Sequence, residues 1–303
     1  MEKCILVTGG AGLVGNAVRR RLESQGRKVV AIDLAERTRD GAPLTFCDLG
    51  DIHRLHAIAT DNAIDGIVHC GAHSGPMVAR DNPYSMVQVN VVGTANMLEL
   101  ARVHKVRRMV FCSSTSAYGD TPEGLVPEDV PLRPTSVYGG SKAASEALLW
   151  TYWRQFGVDA LAIRLSWVYG PGRTTDCIIR TMIEDALAGR PTRMPFGQDF
   201  HRQFIHVEDA VSALLLALDA GEMPRRIYTV TGETYATLGE ISEVVKRVLP
   251  QADIALQPGP DPVDDVHRRF DITAAKRDLG YAPQFDLETG IRSYAGWLAA
   301  RTA

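Results

Sequence analysis

Apolar residues fall along this chain in two alternating rhythms. Cys4-Ile5-Leu6-Val7 is a short continuous apolar run, the pattern of a strand buried on both faces of a parallel sheet. Beyond a glycine-rich break, Leu13, Val14, Ala17, Val18 and Leu22 recur at helical spacing, with Arg19, Arg20 and Arg21 expected to face largely outward. The alternation then repeats. Strand-like runs at 28–32, 44–47, 66–69 and 108–112 are separated by helical segments, most clearly 84–104, where Val87, Val91, Ala95, Leu98 and Ala101 predict one apolar face. Strands alternating with helices predict an α/β fold with a doubly wound parallel sheet over residues 1–165. Past residue 165 the regular alternation breaks. Pro and Gly cluster at 169–172, 190–191 and 257–263, while helices stay legible at 177–188, 207–220 and 238–248. Residues 166–303 are therefore expected to form mainly a smaller C-terminal substrate-binding lobe, with some segments returning to the first domain.

The break after the first strand reads Thr8-Gly9-Gly10-Ala11-Gly12-Leu13-Val14-Gly15. Every glycine costs backbone entropy on folding, so this density marks a place that needs a bare backbone. The stretch fits a dinucleotide fingerprint in two registers, Gly10, Gly12 and Gly15 as G-x-G-x-x-G or Gly9, Gly12 and Gly15 as G-x-x-G-x-x-G. Either register sets backbone N–H groups against a pyrophosphate at the positive end of a helix. The second strand ends at Asp33, where a carboxylate accepts hydrogen bonds from the adenosine ribose hydroxyls and repels a 2′-phosphate. The expected cofactor is NAD rather than NADP, bound to a Rossmann sheet. Ligands of such sheets gather beyond the carboxyl ends of the strands. That rule places Gly9 to Gly15, Asp33, Asp48, Ala72 and Ser114 around one crevice.

Composition narrows the partners. The 303 residues carry 33 Lys and Arg against 36 Asp and Glu, and no basic block stands out beyond Arg19 to Arg21. Nucleic acid is not an expected partner. No apolar run reaches the length of a membrane span, and the first strand begins almost at Met1, leaving no room for a signal peptide. Cys4, Cys47, Cys70, Cys112 and Cys177 are odd in number and show no paired metal spacing. They read as small buried residues of a reducing compartment, so the expected location is cytoplasmic and no metal site is expected.

A second constellation runs Ser113-Ser114-Thr115-Ser116-Ala117-Tyr118-Gly119, followed by Tyr138-Gly139-Gly140-Ser141-Lys142. Tyr138 and Lys142, four apart near a helix start, project from one face. A phenol ionises near pH 10, so a tyrosine that takes a proton near neutrality needs positive charge beside it. A lysine one turn along supplies that charge and can also hold the nicotinamide ribose. Joined to the glycines upstream, these residues resemble the extended short-chain dehydrogenase/reductases, specifically the NAD-dependent epimerase/dehydratase family. The resemblance spans nearly the whole chain. It includes the glycine turn, Asp33, Cys47-Asp48-Leu49, His69-Cys70-Gly71-Ala72, Asn90-Val91-Val92-Gly93-Thr94, the serine-rich stretch, Arg164 to Gly172, and Asp271 to Lys276. It implies that Tyr138 is the acid/base, Lys142 its partner, and Ser114 the hydroxyl that orients the substrate oxygen. It also implies cofactor contacts from Gly9, Gly12, Leu13, Val14, Gly15, Asp33, Asp48, Leu49, Gly71, Ala72 and Asn90, with Asp48 and Leu49 at the adenine. A homodimer through the helices near 84–104 and 138–157 is implied as well.

Departures from the family bear on the reaction. Where the sugar-nucleotide dehydratases resembling this chain carry Thr-Asp-Glu, it has Ser114-Thr115-Ser116. Loss of water needs an acid at the leaving hydroxyl, so dehydration is not expected. Epimerases resembling this chain hold a diphosphate with an asparagine where Trp167 stands and an arginine near Asp261. Arg202 is the family-like arginine that remains, with Arg173, Arg268 and Arg269 as replacements; an ordinary salt bridge from Arg202 to Glu208 or Asp209 is the plainer alternative. Substrate contacts are expected from His73, Ser114, Thr115, Trp167, Arg173 and Arg202. The expected function is NAD-dependent oxidation, or epimerisation, at a secondary alcohol of a sugar or sugar derivative by a Ser-Tyr-Lys mechanism. The alternatives are a dehydrogenase of a small non-nucleotide polyol, sugar acid or amino-hydroxy acid, and a non-catalytic dinucleotide sensor, which has no use for Ser114, Tyr138 and Lys142 together. His69 is expected to be packed rather than catalytic, and Trp150, Tyr152, Trp153 and Phe156 to form core or a subunit contact.

Overall fold

The computed structural model describes residues 2–302. Its first half runs β1 (Lys3–Thr8), α1 (Leu13–Ser24), β2 (Lys28–Asp33), β3 (Thr45–Phe46), α2 (Ile52–Asp61), β4 (Ala63–His69), α3 (Pro83–Val87), α4 (Gly93–Val103), β5 (Arg108–Ser114), α5 (Val137–Phe156) and β6 (Ala160–Leu165). The second half adds β7 (Trp167–Tyr169), α6 (Ile178–Leu187), β8 (Thr192–Met194), β9 (His201–His206), α7 (Val207–Asp219), β10 (Ile227–Val230), β11 (Tyr235–Thr237), α8 (Leu238–Val248), β12 (Ile254–Leu256), α9 (Thr273–Leu279) and α10 (Leu287–Thr302).

Seven parallel strands lie in the order β10-β6-β5-β4-β1-β2-β3. Register keeps their carboxyl ends level: Thr8 stands opposite Ile32 and His69, and Ser114 opposite Leu165. The glycine turn, Asp33, Cys70 and Ser114 therefore leave the sheet at one edge. Side chains alternate across each strand, and the two apolar sets are covered separately. Ile5 and Val7 pack with Val18 and Leu22 of α1, Leu214 and Leu218 of α7, and Leu279 of α9. Cys4 and Leu6 pack with Leu55 of α2, Met97 and Leu98 of α4, and Leu149 of α5. Each fully buried leucine or isoleucine in these layers contributes about 1.5–3 kcal/mol. A separate apolar cluster forms in the second half of the chain, in which Ile179, Ile183, Ile241, Val245 and Leu298 pack with residues of the small sheets β11-β9-β7 and β12-β8.

Two local expectations are corrected. The segment 84–104 is not one regular helix: a π-helical turn, Gln88–Val92, separates α3 from α4. The wide turn rotates the inward face, so Asn90, Thr94, Met97, Leu98 and Ala101 are buried while Val87 is exposed. Asn90 explains the distortion. Its amide donates to Ser141 Oγ at 2.9 Å and to the His73 carbonyl at 3.1 Å, and its oxygen accepts the His73 N–H at 2.8 Å. Arg19 is buried rather than outward, its guanidinium held by Asn16 Oδ1 and by Glu23. Among the described residues no helix is long and apolar enough to cross a membrane.

Candidate active site

The glycines close three chain segments on one another. Gly9 adopts φ +69°, and a Cβ there would sit 2.8 Å from the Gly71 nitrogen; a Cβ on Gly15 would sit 2.1 Å from the Gly9 oxygen. Gly12 starts α1 with no side chain capping the first turn and no acidic residue in it, which leaves the positive end of the helix open to an anion. Asp33 ends β2, where Oδ2 accepts the Ala11 N–H at 3.0 Å and Oδ1 the Ala35 N–H at 3.2 Å. Each oxygen keeps a further lone pair for a ribose hydroxyl. Arg37 is turned to the Gly41 carbonyl and brings no positive charge to Asp33. Gly9, Gly12, Leu13, Val14, Gly15, Asp33, Asp48, Leu49, Gly71 and Ala72 all line one cleft of about 440 Å³. This cradle fits NAD: bare backbone for a pyrophosphate, and at the ribose a carboxylate that repels a 2′-phosphate.

Asn90 is placed differently from the expectation. It lies beneath the cleft wall with its amide spent on His73 and Ser141, and so acts through the His73 main chain rather than facing the cleft.

The far end of the same cleft is built by β5 and α5. Ser136 caps α5 by accepting the Gly139 N–H at 3.1 Å. A Cβ on Gly139 would lie 2.2 Å from the Ser116 oxygen, so the helix start rests directly on the turn that follows β5. This close approach brings Tyr138 and Lys142, both buried, to Ser114. Lys142 Nζ donates to the Cys112 carbonyl at 2.7 Å and lies 5.7 Å from the centre of the Tyr138 ring. Of the paired serines, Ser113 is committed: its hydroxyl donates to Glu146 Oε1 at 2.6 Å, and Glu146 is paired in turn with Arg164. Ser114 Oγ accepts the Ser116 N–H at 3.1 Å, and the residue lines the cleft.

His73, Thr115, Trp167 and Arg173 line the cleft beside this group. Arg202 does not. It is buried behind Trp167, its guanidinium paired with Asp261 at 2.8 Å and Asp264 at 2.6 Å. A buried guanidinium takes the carboxylates that reach it, and here the 261–264 loop delivers them rather than Glu208 or Asp209. Glu208 pairs with Arg21, and Asp209 accepts the Gln284 and Phe285 N–H groups.

His69 lies beneath the cofactor end, between Thr8 Oγ1 at 2.7 Å and Thr94 Oγ1 at 3.0 Å, and burial pushes its pKa down to about 3. Sequence reasoning missed Ser74, Gly75, Pro76, Val78 and Thr175, which also line the cleft. They sit on loops without periodicity, and the Gly75-Pro76 turn signal is the one mark that pointed there. It also missed that Cys70, just past β4, and Cys112, in the neighbouring β5, line the same cleft.

Comparison with known proteins agrees with this geometry. Residues 5–231 match the NAD dependent epimerase/dehydratase family. UDP-glucuronate 4-epimerase 4 of Arabidopsis thaliana is 28% identical over 97% of this chain and 74% of its own length. The dTDP-glucose 4,6-dehydratase of Streptomyces niveus is 28% identical over 97% of this chain and 92% of its own. Among solved structures, the UDP-glucose 4-epimerase of Thermus thermophilus in complex with NAD superposes with a TM-score of 0.86 at 28% identity, covering 97% of this chain and 98% of that one.

Proposed function

The chain belongs to the NAD dependent epimerase/dehydratase family, and on that premise we propose that it oxidises a secondary alcohol of a sugar derivative through Ser114, Tyr138 and Lys142. One observation carries the residue roles: all three side chains line the same cleft as Gly9, Gly15 and Asp33.

NAD, when bound, supplies the acceptor for the hydrogen that leaves the carbinol carbon. Ser114 Oγ donates to the alcohol oxygen and fixes its position. The Tyr138 phenol oxygen takes the hydroxyl proton as the carbonyl forms. The Lys142 ammonium, 5.7 Å from the Tyr138 ring centre, steadies negative charge on that oxygen, and its bond to the Cys112 carbonyl keeps it in place. Dehydration lacks a group: the carboxylates lining the cleft are Asp33 and Asp48, both at the adenosine end, while Thr115 and Ser116 stand beside Tyr138. A dehydrogenase acting on a small non-nucleotide substrate is the second reading, favoured by the pairing of Arg202 away from the cleft.

The enzyme is further proposed to work as a cytoplasmic homodimer. Its five cysteines are free thiols, which suits a reducing compartment. Tyr84, Val87, Val92, Trp150 and Phe156 expose apolar surface on the helical segments where a second copy would dock.

The experiment is a Tyr138→Phe variant assayed against a panel of sugars and sugar derivatives with NAD. Turnover should fall by about 10²-fold or more, with NAD affinity nearly unchanged; retention of most activity would reject the reading.

A further inference from the structure

Positive charge at the substrate end of the cleft is almost wholly committed. Among the residues that line it, Lys142 and Arg173 are the permanent cations, and Lys142 is held by the Cys112 carbonyl beside Tyr138. Arg202 lies behind Trp167 with two carboxylates on it, and all three charged side chains are buried, at 6%, 14% and 4% exposure for Arg202, Asp261 and Asp264. The Trp167 ring lies against the Arg202 guanidinium, 4.5 Å from centre to carbon, which closes the wall. With two carboxylates on its one guanidinium, that wall offers no free positive charge. Arg268 is likewise paired, with Glu123. With Lys142 reserved for the Tyr138 oxygen, a pyrophosphate brought here would shed hydration from two negative charges and meet one other cation free of a carboxylate.

That cation is Arg173. Its guanidinium donates to the Val168 carbonyl and to the Asp176 carbonyl, neutral acceptors that leave its charge uncompensated, and its Nε is buried without a partner among the described residues. A single guanidinium is suited to a single carboxylate. We propose that the substrate is a monosaccharide-sized sugar acid, a uronate or an aldonate, whose carboxylate is taken by Arg173, and that Asp261 and Asp264 exclude nucleoside diphosphate sugars by neutralising Arg202. This rests on the Ser114-Tyr138-Lys142 reading for the reaction at the alcohol, and assigns the part of the substrate which that reading leaves open.

The test titrates UDP, UDP-glucuronate, glucuronate and gluconate into the NAD-loaded enzyme by calorimetry, and follows NADH with the same compounds. A free acid should bind at least about tenfold more tightly than UDP or UDP-glucuronate, and Arg173→Gln should weaken that binding about tenfold. Asp261→Asn combined with Asp264→Asn should improve UDP binding by a similar factor. Tighter binding of UDP-glucuronate than of either free acid, no detectable binding of a free acid at millimolar concentration, or an Arg173→Gln enzyme with unaltered affinity would overturn the proposal. Should the double variant fail to fold, the wild-type ranking decides alone. A Tyr138→Phe enzyme that stays active on a free acid would instead reject the catalytic roles and leave the binding order intact.

Discussion

The Lys142 ammonium donates to the Cys112 carbonyl at 2.7 Å, so the helix that carries Tyr138 is fastened to the strand that ends in Ser114. Lys142→Met removes this fastening and the charge beside the phenol together. Both kcat/KM and NAD affinity should fall, the former by about 10²-fold or more. Steady-state rates and a titration of Trp fluorescence with NAD separate the two effects. Loss of turnover alone would mean that Lys142 does not reach the cofactor.

Gly15→Ala should weaken NAD binding at least about tenfold, since α1 must move off the Gly9 carbonyl, 2.1 Å from the added carbon, and carry its open end away from the pyrophosphate. Gly296→Ala is the control. It lies in α10 with nothing within 4 Å of the added carbon, and should gain about 0.5–1 kcal/mol in stability without touching NAD affinity. Equal NAD affinity in the two variants would refute the cradle.

Stability should fall on acidification below pH 6.5. Burial holds His69 at about 3 and His206 at about 4, whereas both titrate near 6.5 when unfolded. Between those values the unfolded chain binds protons that the folded chain refuses. The contribution is therefore complete above pH 6.5 and is lost as pH drops toward 4, at about 1.4 kcal/mol per pH unit for each histidine. Urea denaturation at several pH values measures the slope, and His69→Gln should reduce it by one histidine's share. An unchanged slope in that variant would show that His69 is protonated in the fold.

Arg164 and Glu146 form a buried pair at 2.7 Å with both side chains at most 3% exposed, and the Arg164 guanidinium lies 4.4 Å from the Tyr118 ring centre. Glu146→Ala strands the guanidinium and frees Ser113, so it should cost about 3–5 kcal/mol in urea unfolding. Replacing both partners by leucine and methionine should cost less than the single change. The reverse order would show that the pair is worth more than the packing that can replace it.

Legibility of this fold in its sequence follows the reach of each signal. The β1 run, the α1 stripe and the glycines between them are contiguous, and their periodicity marks which apolar residues face the core. Tyr138 and Lys142 are legible for the same reason, being one helical turn apart. What escaped is set by contacts between distant segments. Asn90 distorts its helix to reach His73 and Ser141, 17 and 51 residues away. Asp261 meets Arg202 across 59 residues and a proline-rich loop, a pairing that no local pattern records. Arg19 escaped because an arginine on a helix is solvated by default, and only the tertiary packing around it makes it a buried one.

Strand β10 pairs with β6 from Ile227 to Val230, and all six residues of β6 are buried. The order of synthesis gives this pairing a temporal meaning. When Leu165 leaves the ribosome, β6 has β5 on one side and an open row of N–H and C=O groups on the other, and it stays so while sixty-odd further residues are translated. Helix α7, whose Leu214 and Leu218 cover one face of the sheet, arrives in the same late stretch. The nascent chain therefore holds an unfinished sheet with a bare edge and a bare face, available to other nascent chains, until Val230 has emerged.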